Sequence, residues 1–114
     1  MKRLPTLAVL ATFVFVPLLC GQTWTGYVSD AKCAAASSKA KTAAEWIQPD
    51  KFESCVKTCV KAGSPAVFVT LDNKMIKFDA ASMDKVTPML GHKVTVSGKV
   101  ENGVMTIDSI ADAK

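Results

Sequence analysis

The sequence predicts a mainly β fold with helical insertions, on three observations. Residues 93–100 alternate at period two, Asn102-Gly103 supplies a type I′ turn, and 104–110 returns. A second strand pair flanks a turn at Asp72-Asn73. An amphipathic run carrying two cysteines separates both pairs from an isolated first strand.

The first residues stand apart from this pattern. Lys2 and Arg3 precede an apolar run over 4–19, and Cys20-Gly21-Gln22-Thr23 come next. A basic start, a short apolar core and then small or polar residues predict an export signal over 1–21. Removing those 21 residues from 114 leaves 93. Taking Lys2 and Arg3 from the 14 basic residues leaves 12, all lysine, against ten acidic residues, a net charge of +2. Cys20 ends the apolar run and offers a lipid-anchor reading, against which stands Leu19, where a lipobox takes a small residue. The mature chain holds no further apolar stretch of about twenty residues, so no transmembrane span is expected. The expected location is periplasmic or secreted. A weakly cationic surface without arginine disfavours nucleic acid as a partner. The size excludes large catalytic architectures.

Residues 23–29 read as the first strand, with Gly26 allowing a bulge or close approach. Asp30 is placed to cap a helix beginning at Ala31. Over 31–47 the composition turns to alanine, lysine and serine, predicting a partly helical, mobile stretch. Phe52, Cys55, Val56, Cys59 and Val60 then recur at i, i+3, i+4, i+7 and i+8, a helix with Asp50 as its expected cap and Gly63 as its stop. Strands are expected over 66–71 and 74–78, then a short helix over 82–90 interrupted by Pro88, and the closing hairpin over 93–100 and 104–110, its ends frayed. Five strands with helices between strands 1 and 2 and between strands 3 and 4 give the order of an OB-like Greek-key barrel. The prediction is one domain over 22–114, with a cysteine-bearing helical insert at about 31–62.

Two resemblances accompany this order. Val94, Val96, Gly98, Val100 and the return strand 105–110 resemble the closing hairpin of bacterial OB-fold periplasmic proteins of the BOF type. Thr25-Gly26, Ser29-Asp30, Cys33, the run 55–63, Val67-Phe68-Val69 and 91–96 are similar to a group of small exported bacterial proteins of unassigned function. Members of that group often carry a histidine shortly before the cysteine pair, where this chain has Pro49-Asp50-Lys51-Phe52. The resemblance implies the fold rather than an activity.

With Cys20 removed or lipidated, Cys33, Cys55 and Cys59 remain for chemistry, an odd number in a compartment where disulfides persist. Cys55 and Cys59, one helical turn apart, do not converge enough for an unstrained bridge. Antiparallel pairing of the first two strands brings Cys33 toward the end of the helix, so Cys59 is the expected disulfide partner. Cys55 is the alternative partner, expected otherwise as a buried thiol. Closing that loop would contribute about 3 kcal/mol. The competing reading is a metal site, with Cys33, Cys55, Cys59 and His92 as ligands for zinc or copper(I). Val67, Val69 and Leu71 share one face of the second strand. Phe68 and Thr70 share the other, a ligand surface unless the cysteine helix covers Phe68. No acid–base pair, nucleophile elbow or phosphate-cradling loop occurs, so no enzyme and no cofactor are expected. The sequence therefore predicts an exported, disulfide-stabilised, non-catalytic binding or envelope module for a small ligand or envelope protein. Its alternative is a thiol-based metal-binding protein of the periplasm.

Overall fold

A computed structural model describes residues 22–113. The expected export signal over 1–21, Cys20 with its lipid-anchor reading, and Lys114 lie outside the described residues. The described chain is a mixed five-stranded sheet with helices. Its elements are β1 (Gln22–Asp30), α1 (Ala31–Ala36), α2 (Pro49–Lys61), β2 (Ala66–Thr70), β3 (Met75–Phe78), α3 (Met83–Val86), β4 (Lys93–Glu101) and β5 (Val104–Asp112). Short 3-10 turns lie between α1 and α2 and on both sides of α3. Among the described residues no helix is long and apolar enough to cross a membrane.

Pairing runs β1–β2–β3–β5–β4 and returns to β1, so every strand has two neighbours. All pairs are antiparallel except β3 with β5, where Lys77 lies opposite Val104 and Phe78 opposite Met105. The long strand β1 makes the return possible. Residues 22–27 pair with β4 and residues 26–30 with β2, so Gly26 lies opposite both Val94 and Thr70. A Cβ at Gly26 would run into the Val69 carbonyl and the Phe68 ring, so only glycine admits this approach. The β4–β5 hairpin turns through Asn102 and Gly103, whose φ values of 54° and 78° are both left-handed, as a type I′ turn requires. Asp108 is the extra residue of a bulge, where the register shifts between Ser97 and Gly98. Lys85 donates to the carbonyls of Ile107 and Asp108 beside that bulge.

The core is continuous, from Val28, Phe68, Val94, Val96 and Met105 of the strands to Val56 of α2 and Val86 of α3. Residues 66–69 of β2 are buried on both faces, which is why that strand reads as an unbroken apolar run. Tyr27, opposite Val69, meets Phe52 of α2 edge-on at 5.9 Å, so α2 covers the Val67/Val69 face. Phe68 points the other way and meets Phe78 at 6.4 Å.

Several expectations change. Helix α2 begins with Pro49 at its first position and Gln48 as the capping residue, without a side-chain cap bond. Proline lacks only an N–H that would be unpaired there anyway. Asp50 sits inside the first turn, where its charge still favours the helix N-terminus. Strand β5 runs to Asp112 rather than fraying after Ile110, because Asp112 pairs with Val94 and the Ala113 amide donates to the Lys93 carbonyl. The alanine-rich stretch is tied down from a distance. Asn73, left-handed at φ 62°, donates to the Ser37 and Ala40 carbonyls at 2.9 Å each and accepts from the Trp46 indole at 2.8 Å. The Ala43 amide donates to the Leu71 carbonyl.

Replacing Asn73 with glycine keeps the left-handed turn and removes three hydrogen bonds. Asn73→Gly is expected to lose about 1–3 kcal/mol of stability in denaturant unfolding, while Asn102→Gly, at an exposed turn, stays near wild type. Equal stability of the two variants would contradict the tether.

Candidate functional site

The site forms where β1 hands over to α1. Asp30, the last residue of β1, is fully buried and caps α1, its Oδ2 accepting from the Cys33 amide at 3.1 Å. The same Oδ2 accepts from the Ser64 hydroxyl at 3.0 Å, and that hydroxyl accepts from the Lys32 amide. The Ala31 amide donates to the Pro65 carbonyl, so the start of α1 is pinned beside the chain that leaves α2. That chain ends in a Schellman motif. Gly63, at φ 108°, donates to the Val60 carbonyl, and Ser64 donates to the Cys59 carbonyl. Ser64 thus joins the carbonyl of one cysteine residue to the carboxylate that caps the other.

The result is a triangle of sulfurs. Cys33 Sγ lies 4.0 Å from Cys59 Sγ, and the sulfurs of Cys33, Cys55 and Cys59 all lie within 4.8 Å of one another. The expected Cys33–Cys59 disulfide is not formed; the two sulfurs touch without a bond. Cys55 is not the buried thiol the sequence suggests but is exposed. Phe52 and Val56 form the line of α2 that faces the core, and Cys55 falls to one side of it, toward α1. Burial pushes the Cys33 thiol up to about 12, helped by the hydrogen bond and the charge of the Asp30 carboxylate and by the Cys59 thiol. Beside the triangle, Cys33 and Cys55 border an apolar recess of about 240 Å³ with Trp46, Phe52 and Lys51. A second recess reaches Cys59 between Lys32 and Ser64. The sulfurs are therefore reachable from solvent on two sides.

The remaining candidates lie elsewhere. His92 does not join the sulfurs. Its Nδ1 is 2.7 Å from Asp112 Oδ1 and its Nε2 is 3.5 Å from Glu53 Oε2. The residue after Gly91 meets the end of β5, and the carboxylates hold it there. Phe68 is fully buried, so the expected ligand surface of Phe68 and Thr70 is closed at its aromatic end; the ring lies in the core beside Phe78, on the face of β2 opposite the one that the cysteine helix covers. The Thr70 hydroxyl donates to Asp72 and accepts from the Lys74 amide, which commits it to the β2–β3 turn. Asp30 is the site residue that the sequence does not single out. Its signal is its position three residues before Cys33, which by itself marks only a cap. Compared with known proteins, the chain matches no family model, no curated protein and no solved structure.

The His92 contacts carry a pH dependence. Asp112, and then Glu53, raise the imidazole above its ordinary value of 6.5. A group raised on folding stabilises most fully below its unfolded value, and that contribution is lost as pH rises through the raised folded value. The midpoint of thermal unfolding is expected to fall across that window in the wild type, and His92→Gln is expected to flatten the change. An unchanged slope in the variant would contradict the assignment.

Proposed function

We propose that the protein is an exported, non-catalytic OB-like module whose working group is the sulfur triangle, a site for one thiophilic metal ion, zinc or copper(I). The observation that carries this reading is the convergence of Cys33, Cys55 and Cys59 within 4.8 Å. Sulfurs bound to one zinc at about 2.3 Å stand a little under 4 Å apart. The triangle needs only a small contraction to reach that spacing, and the exposed Cys55 can supply it by rotating its side chain. The closed order of strand pairings, with its parallel β3–β5 contact, supports the OB-like barrel as the frame. An N-terminal segment with export character supports a periplasmic or secreted location, where a small ion or an envelope partner is within reach. Pairing of His92 with Asp112 and Glu53 keeps it apart from the three cysteines.

A second reading rests on the 4.0 Å contact of Cys33 with Cys59. Oxidation of that pair would staple α1 to α2 and leave Cys55 as a free thiol, a stabilised module without metal.

One experiment separates the two. Protein reduced and titrated with Zn2+ and with Cu+ against a competing chelator is expected to take up one ion per chain and to protect all three thiols from a thiol reagent. Changing any one of Cys33, Cys55 or Cys59 to serine should weaken binding by more than about 100-fold, since even outer-sphere losses cost 10–100-fold. His92→Gln should bind as the wild type does. Absence of metal uptake, together with a native mass lower by two hydrogens than the reduced mass, would support the stapled module instead.

A further inference from the structure

The three sulfurs can serve a metal ion or a disulfide, and their geometry does not let them serve both. A thiolate is the ligand form of cysteine, and a sulfur bonded to another sulfur has lost it. Cys33 Sγ and Cys59 Sγ touch at 4.0 Å, against about 2.05 Å in a disulfide. Cys55 lies within 4.8 Å of both. It sits one turn before Cys59 on α2, a spacing that strains a bridge between the two.

Hydrogen bonds already hold the partners of the bridge side by side. Asp30 Oδ2 accepts from the Cys33 amide and the Ser64 hydroxyl, and the Ser64 amide donates to the Cys59 carbonyl. Asp30 Oδ1 is buried without a hydrogen-bond partner, so the joint holds through one oxygen of the carboxylate. A covalent link from Cys33 to Cys59 spans that same joint. Access is present as well. Cys59 borders a recess with Lys32, Ala62 and Ser64, so a small anionic disulfide meets a positive charge beside the sulfur it has to reach.

Resting on the metal-site reading above, we propose that the site is redox-gated: a small disulfide bearing carboxylates oxidises Cys33 and Cys59 to a bridge and so expels the ion. The Cys59 sulfur attacks one sulfur of the small disulfide and releases one thiolate. Cys33 then attacks the Cys59 sulfur of the mixed disulfide and releases the second. The protein pair loses two electrons and the small disulfide gains them. The two released thiolates and Cys55 take protons from water, and the ion departs. Cys55 remains as a single thiol, too few donors for zinc or copper(I), while His92 stays with Asp112 and Glu53. Excess thiol reverses each step and restores the triangle. The proposed periplasmic or secreted location is one where disulfides persist.

Reduced protein loaded with the ion it takes up, Zn2+ or Cu+, is treated with oxidised glutathione. A chromophoric chelator follows the ion, and mass spectrometry follows the thiols. One ion per chain should be released with the loss of two thiols, and no glutathione should stay on the wild-type chain. Non-reducing digestion should yield a Cys33–Cys59 peptide, with Cys55 open to alkylation, and dithiothreitol should restore uptake. Reduced glutathione should release no ion in the same time. Cys55→Ser should still form the bridge, whereas Cys33→Ser should keep one glutathione on Cys59. An ion that stays bound in excess oxidised glutathione overturns the gate and leaves the metal site standing. So does a bridge through Cys55, a lasting glutathione adduct on the wild type, or equal release by reduced glutathione. Uptake of neither ion by the reduced protein removes the site and the gate together.

Discussion

A carboxylate shut away from water has to be satisfied atom by atom, and Asp30 is satisfied at one oxygen only. That oxygen does the structural work. It caps α1, accepts from Ser64, and so joins the end of β1 to the Schellman turn that closes α2. Because the turn also takes the Cys59 carbonyl, the two cysteine-bearing helices are fixed against each other by hydrogen bonds before any sulfur chemistry takes place. The three sulfurs meet on the two helices that these hydrogen bonds hold together. A disulfide would add to this arrangement; it is not what creates it.

The rest of the fold serves the same junction. Gly26 lets β1 pair with β4 in its first half and with β2 in its second, which brings Asp30 opposite Ala66 and next to the chain leaving α2. Helix α2 is held on the Val67/Val69 face by Phe52, packed edge-on between Tyr27 and Trp46. Trp46 is in turn bonded to Asn73 in the β2–β3 turn. The chain just before α2 is therefore tied to the β2–β3 turn as well as to the helix. At the other side of α2, Glu53 is held below the usual carboxylate range by Lys57 and, less strongly, by His92.

Legibility from sequence followed the range of the interactions. Period-two alternation and the Asn102-Gly103 pair located the closing hairpin because both are local. Phe52 and Val56 marked the buried line of α2 for the same reason. The neighbourhood of Cys33 and the end of α2 followed from antiparallel pairing of consecutive strands, a rule about topology. What escaped depends on partners far along the chain or on the angle of one side chain. Asn73 looks like an ordinary turn residue until its amide is found on Ser37 and Ala40. Cys55 lies on the same apolar stripe as Phe52, but a stripe is wider than the strip a sheet face can cover, and its edge is left exposed. Phe68 alternates correctly with Val67 and Val69, but both faces of β2 are covered, so alternation cannot say which face is open. Asp30 was visible as a cap, whereas its second oxygen shows only when every neighbour is placed.

The proposed centre stands on three sulfurs acting together on one ion. X-ray absorption at the metal edge of the zinc-loaded, reduced protein tests that most directly. A first shell containing three sulfurs at about 2.3 Å is the expected result. A shell made chiefly of nitrogen and oxygen, or one with a single sulfur, would contradict it.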